Sequence, residues 1–125
     1  SGVRHKFYES LVSIELGRAT GSGLWKKRGT DAMNQIIMFH KAGNMNCSHM
    51  VPLIKAEYAA LCGKNRKASK YYAEAIQANE SFSCQIFLQD RAISLERASL
   101  FYDRIGDTSA ATRCLSQSQD LLLKW

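Results

Sequence analysis

Lys55-Ala56-Glu57-Tyr58-Ala59-Ala60-Leu61-Cys62-Gly63-Lys64-Asn65-Arg66-Lys67-Ala68-Ser69-Lys70-Tyr71-Tyr72-Ala73-Glu74-Ala75-Ile76-Gln77-Ala78 is the stretch whose reading decides the fold. Gly63 breaks it into two parts of helical period. Before the glycine, Ala56, Ala59 and Ala60 form a small-residue face; after it, Ala68, Tyr72, Ala75 and Ile76 recur at three- and four-residue spacing. A connection this short forces the two helices to run antiparallel. The same design returns 43 residues later at Gly106, where positions plus five, nine and twelve are Ala111, Leu115 and Ser118, matching Ala68, Tyr72 and Ala75 after Gly63. Seven residues before each glycine stands another small residue, Ala56 or Ser99, as expected where antiparallel helices cross closely near their turn.

Working outward, the remaining segments are helical too. Phe7, Tyr8, Leu11, Val12 and Ile14 give an apolar face between Lys6 and Leu16, which Gly17 is expected to close. Gly21-Ser22-Gly23 reads as a turn, followed by a helix from about Leu24 to Lys41 with Trp25, Gly29, Ala32, Met33, Ile36, Ile37 and His40 inward. A glycine inside a helix costs about 1 kcal/mol against alanine, so Gly29 is expected to mark a close helix approach. Asn44-Met45-Asn46-Cys47-Ser48 offers capping side chains, and Pro52 suits only a first turn, so the third helix should start near His49 and end before Gly63. The fourth should span about Arg66 to Ala78, ending before Asn79-Glu80-Ser81. The fifth should run from about Cys84 to Ile105 with Phe87, Leu88, Ala92, Leu95, Ala98, Ser99 and Tyr102 inward. In the sixth, capped by Asp107 or Thr108, Ala111, Leu115, Ser118, Leu122 and Trp125 are expected to share a face. The fold class is therefore all-α: about three antiparallel hairpins, near 3–41, 49–78 and 84–125, in one helical repeat domain over 1–125.

With 125 residues, 46% hydrophobic and 22% charged, the chain is long enough for one packed core and is not a disordered or fibrous composition. No apolar run reaches the length of a membrane span, and Ser1-Gly2-Val3-Arg4-His5-Lys6 precedes no signal core, so a soluble, cytoplasmic chain with no membrane partner is expected. A start without methionine is expected of a segment excised from a longer protein.

No catalytic constellation is written in the sequence. Cys47, Cys62, Cys84 and Cys114 are separated by 15, 22 and 30 positions and form no C-x-x-C pair; they read as reduced, packed thiols. Cys47-Ser48-His49 lacks the further ligands a metal would need. His5, His40 and His49 stand apart from any nucleophile motif and suit surface or capping roles. Phosphate-loop, dinucleotide, zinc-protease and serine-hydrolase patterns are absent, so no catalytic residue, cofactor or metal is assigned.

Charge is where the sequence points to contacts. The net charge is +6, yet residues 1–70 carry twelve Lys/Arg against four Asp/Glu while the rest carry five against seven. Two basic clusters account for the asymmetry: Lys26-Lys27-Arg28, and Lys64, Arg66, Lys67 and Lys70. The second crowds the turn and the start of the fourth helix, with no acidic residue among them, and is the expected partner-binding surface, together with the groove between the third and fifth helices. Neither cluster interleaves aromatics for base stacking, so an RNA-binding reading ranks last.

The small-large-small signature resembles that of tetratricopeptide repeats, whose period is about 34, although the glycines here are 43 apart. More specifically, Asn46-Cys47-Ser48-His49, Lys55-Ala56-Glu57-Tyr58-Ala59, Gly63, Ala68 to Ala78, Asp90-Arg91-Ala92, Leu95-Glu96-Arg97-Ala98, Leu100-Phe101-Tyr102, Gly106, Ala111, Leu115 and Trp125 resemble the tetratricopeptide-like region of very large signalling proteins. The likeness covers about residues 25–125. It departs at Asp90-Arg91, where that family shows a glutamate-alanine pair, at Ser118, where it has alanine, and at Leu123, where it has an aromatic. In that family a protein-kinase-like domain and an AAA-type ATPase module precede the helical region, and GAF and histidine kinase or cyclase domains follow it. The resemblance implies a tetratricopeptide-like superhelix acting as a non-catalytic scaffold or interdomain connector in signal transduction. Its partners would be neighbouring domains of the same polypeptide or a protein or peptide ligand, and its parent an ATP-dependent kinase. A free-standing peptide-binding adaptor is the alternative, for which Lys55, Lys64 and Lys70 could form a carboxylate clamp.

Overall fold

The computed structural model describes residues 2–44, 47–78 and 85–124. They form six α-helices: α1 (Gly2–Thr20), α2 (Gly23–Lys41), α3 (Val51–Leu61), α4 (Asn65–Ala78), α5 (Gln85–Arg104) and α6 (Thr108–Leu123), with no strand among the described residues. The all-helical expectation holds. The expected caps at Met45 and Asn46, the helix end at Asn79-Glu80-Ser81, the start at Cys84, the inward side chain of Phe87 and the terminal Trp125 lie outside the described residues and side chains.

Three helix ends are built on one local device. After α3 the Gly63 amide donates to the Ala60 carbonyl and Lys64 to Ala59; after α5, Gly106 donates to Asp103 and Asp107 to Tyr102; after α2, Gly43 donates to His40 and Asn44 to Phe39. Each is a Schellman closure, which needs a residue at positive φ, supplied at Gly63 (76°) and Gly106 (88°) without the penalty a Cβ would bring. Pro52 sits in the first turn of α3, and the Asp107 carboxylate accepts from the Ala110 amide at 3.1 Å to cap α6.

The chain falls into two compact units, residues 1–71 and 72–125, divided within α4. In the first, α1 packs along α2 and both contact α3. The core is Phe7, Ile14, Met33, Ile36, Leu53 and Ile54. Gly29 marks the expected close approach: a Cβ there would stand 2.7 Å from Ile14 Cγ1, and its carbonyl accepts a hydrogen bond from the buried Ser10 hydroxyl. Gly17 does not close α1, which continues to Thr20. It is buried inside the helix, and a Cβ would lie 2.8 Å from Lys26 Cγ, so this glycine serves a second crossing point and not a helix end.

In the second unit α5 packs on α6, and the Tyr72 ring lies 5.1 Å from that of Phe101. Ser99 donates to the Ala111 carbonyl at 2.9 Å and Ser118 to Ala92 at 3.0 Å, so the small residues at the crossing also tie the two backbones together. Ala56, Ala68, Ala75, Ser99 and Ala111 are all buried, as the repeat alignment requires. Its large position fails. Leu115 is 44% exposed and Leu122 46%, where Tyr72 is fully buried; Cys114 and Leu121 take the inward places. The two serine hydrogen bonds fix the rotation of α6, and at that rotation the inward stripe runs through 110, 111, 114, 118 and 121, leaving 115 and 122 on its edge.

Candidate functional site: a basic depression at the start of α4

The turn at Gly63 delivers the chain directly into α4, whose first helical hydrogen bond runs from the Ala68 amide to the Lys64 carbonyl at 2.9 Å. Ala68 is fully buried and fixes the rotation of this turn. The residues opposite it on the helical wheel, Arg66 and Lys70, must then face outward, flanked by Lys67. Lys64, Arg66, Lys67 and Lys70 are all exposed, and with Asn65 and Tyr71 they line one open depression of about 490 Å³ within the first unit. Tyr71 is half-buried on its wall, and the Lys55 ammonium of α3 lies 5.8 Å over the ring, adding a fifth cation beside the depression. Of the lysines expected for a carboxylate clamp, Lys64 and Lys70 line the depression and Lys55 reaches it through Tyr71.

The other basic cluster is engaged within the fold. Lys27 Nζ pairs with Asp31 Oδ2 at 3.1 Å, the Arg28 guanidinium lies 5.2 Å over the Trp25 ring, and Lys26 packs its stem against Gly17. Nearby, Lys6 pairs with Glu9 at 3.3 Å. Arg18 pairs with Glu15. Among the described residues none of Lys64, Arg66, Lys67 and Lys70 has an ion-pair partner. Glu74, the nearest carboxylate in sequence, stands four residues beyond Lys70 in the order, Lys before Glu, that gains least from the helix dipole.

The remaining chemistry-bearing residues are dispersed. Cys47 and Cys114 are buried free thiols, both held above the ordinary thiol pKa by desolvation. Cys62, expected to be packed, is exposed at the end of α3 and shares a hydrogen bond with the Tyr58 hydroxyl, which pushes the Tyr58 pKa upward. His5 is exposed and His40 half-buried with its Nδ1 unpartnered, but His49 is buried and takes no surface role. Among the described residues no three His, Cys, Asp or Glu side chains gather as metal ligands would. No helix of the described residues is long and apolar enough to cross a membrane. Sequence reading found the four cations and missed Tyr71 and Asn65; the signal for Tyr71 was its place between the buried face of Ala68 and Tyr72 and the basic face of Lys67 and Lys70. No protein-family model, curated protein or solved structure matches the chain.

Proposed function

We propose that this chain is a non-catalytic helical-repeat scaffold, a tetratricopeptide-like superhelix of about three hairpins, which connects domains of a large cytoplasmic signalling ATPase or kinase and makes its contacts through the basic depression at the start of α4. The observation that carries this reading is a set of four exposed cations around one depression, none of them ion-paired among the described residues. The Schellman turn repeated at Gly43, Gly63 and Gly106, and small residues at the crossings, support the repeat architecture. The partners are neighbouring domains of the same polypeptide or a protein or peptide ligand.

A free-standing peptide-binding adaptor is the second reading, favoured by Lys55, Lys64, Lys70 and Tyr71 converging on the depression. The native polypeptide that carries this segment separates the two. Lysine-reactive crosslinking followed by mass spectrometry should join Lys64, Lys67 or Lys70 to another domain of the same polypeptide for a connector, and to a second protein for an adaptor. Crosslinks confined to the segment itself, or sustained ATP turnover by the isolated chain abolished by a point mutation within it, would overturn the scaffold reading.

A further inference from the structure

We infer that the depression lined by Lys64, Arg66, Lys67, Lys70, Asn65 and Tyr71 is a docking groove for an extended, acidic segment of protein chain carrying carboxylates at alternate residues. The inference rests on the scaffold reading above and names the chemistry of its partner. Within α4, Arg66 to Lys70 spans four residues of helix, about 6 Å along the axis, with Lys64 in the turn just before it. An extended peptide places side chains of one face about 6.6 Å apart, so two carboxylates at alternate positions fall within the reach of the four cationic side chains. The four cations face solvent without partners among the described residues, so an incoming carboxylate displaces no ion pair of the fold. Arg66 adds a planar fork suited to a carboxylate, and Asn65 an uncharged amide for the peptide backbone.

The same observations weigh against two other anionic partners. Stacking of nucleic-acid bases needs an open aromatic face, and Tyr71, the aromatic wall of the depression, is half-buried with the Lys55 ammonium over its ring. Insertion into a membrane surface needs large apolar side chains among the cations, and none of the exposed large hydrophobic residues falls between 64 and 71.

The test is fluorescence anisotropy on the 125-residue chain with a labelled hexapeptide Glu-Ser-Glu-Ser-Glu-Ser, its Gln-Ser counterpart, octauridylate, and vesicles of phosphatidylcholine and phosphatidylserine in equal parts. The Glu-Ser peptide should bind saturably, about tenfold or more tightly than the Gln-Ser peptide, and weaken severalfold between about 0.05 and 0.5 M salt. Reversal of all four cations to Glu should abolish binding with the far-ultraviolet circular dichroism unchanged. If that variant misfolds, Lys67→Gln with Lys70→Gln should still weaken binding about threefold or more, while Lys64→Arg, Lys67→Arg and Lys70→Arg together retain it. Lys27→Glu with Arg28→Glu, which removes the same sign of charge elsewhere, should leave affinity within about twofold after correction for net charge. Absence of Glu-Ser binding, tighter binding of octauridylate or vesicles than of the peptide, or equal losses from the Lys27 and Arg28 changes would overturn the inference. Crosslinks from Lys64, Lys67 or Lys70 to another domain of the native polypeptide would then still uphold the scaffold reading, so the two failures are distinct.

Discussion

Adding a single methyl group at Gly29 should destabilise the first unit even though it improves the intrinsic helix propensity of α2. Gly29→Ala gains about 1 kcal/mol from the backbone. Against this, the new Cβ would stand 2.7 Å from Ile14 Cγ1, 3.1 Å from Ile14 N and 3.4 Å from Ile14 Cα. Carbon atoms prefer about 3.5–4.0 Å, and two of the three close atoms are backbone, so a rotamer change cannot relieve the overlap and α1 must move off α2. Overpacking of this kind costs about 1–3 kcal/mol, which leaves a net loss near 1 kcal/mol for Gly29→Ala and about 3 kcal/mol for Gly29→Val. The Ser10 hydrogen bond to the Gly29 carbonyl, already 3.4 Å long, would be lost with the separation. Ile14→Ala alone should cost about 2–5 kcal/mol. In that background the 2.7 Å contact with Cγ1 is gone while the backbone contacts at 3.1 and 3.4 Å stay, so Gly29→Ala should lose less than it does beside Ile14, a partial coupling of about 0.5 kcal/mol. Gly23→Ala, where a Cβ meets nothing within 4 Å, should instead stabilise by about 0.5 kcal/mol. Urea unfolding by circular dichroism gives the free energies, and hydrogen exchange of peptides from residues 2–44 assigns them to the first unit. A Gly29→Ala protein at least as stable as the native chain, or an equal loss with and without Ile14, would refute the reasoning.

Three further outcomes are expected. Tyr72→Ala should cost about 3–5 kcal/mol because the ring is fully buried against Phe101, whereas Leu115→Ala, at the equivalent place in the repeat but 44% exposed, should cost less than about 1 kcal/mol; equal losses in urea unfolding would contradict the rotation of α6. Asp107→Ala removes the side chain that accepts from the Ala110 amide and should cost about 1 kcal/mol, largely restored by Asp107→Asn; hydrogen exchange at the start of α6 reads the change. Burial raises the pKa values of Cys47 and Cys114, so their contribution to stability is complete below the ordinary thiol value and lost as pH rises above about 8.5. Cys47→Ala or Cys114→Ala should flatten that alkaline slope, and iodoacetamide should alkylate Cys62 well before either buried thiol in peptide maps of the folded chain.

Helix existence was legible because local chemistry writes it: Pro52 at a first turn, Asp107 at a cap, and glycines at Gly63 and Gly106 where a closure demands positive φ. Gly29 was legible as a close approach for the same reason, since nothing local rewards a glycine in mid-helix. Gly17 was not, because a glycine near an expected helix end reads equally as a terminator, and only the packing of Lys26 against it shows which role it has. Leu115 failed on a finer point. Spacing alone admits 114 or 115 as the inward residue, and the choice falls to two long-range hydrogen bonds, Ser99 to Ala111 and Ser118 to Ala92, that no local pattern encodes. The burial of Asp90 and Ser94 in α5 was not legible, because their polarity argues for the surface. In the candidate site the cations were legible as composition, while their separation from the Lys26-Lys27-Arg28 cluster required seeing which charges the fold already uses.

Titration of the uniformly ¹⁵N-labelled chain with the Glu-Ser hexapeptide, followed by two-dimensional NMR, tests the central claim most directly. Saturable shifts are expected at the amides of residues 64–71 and at Lys55, with residues 24–31 unmoved, and those shifts should be lost at about 0.5 M salt. Shifts centred on α1 and α2, or none at peptide concentrations in the millimolar range, would contradict it.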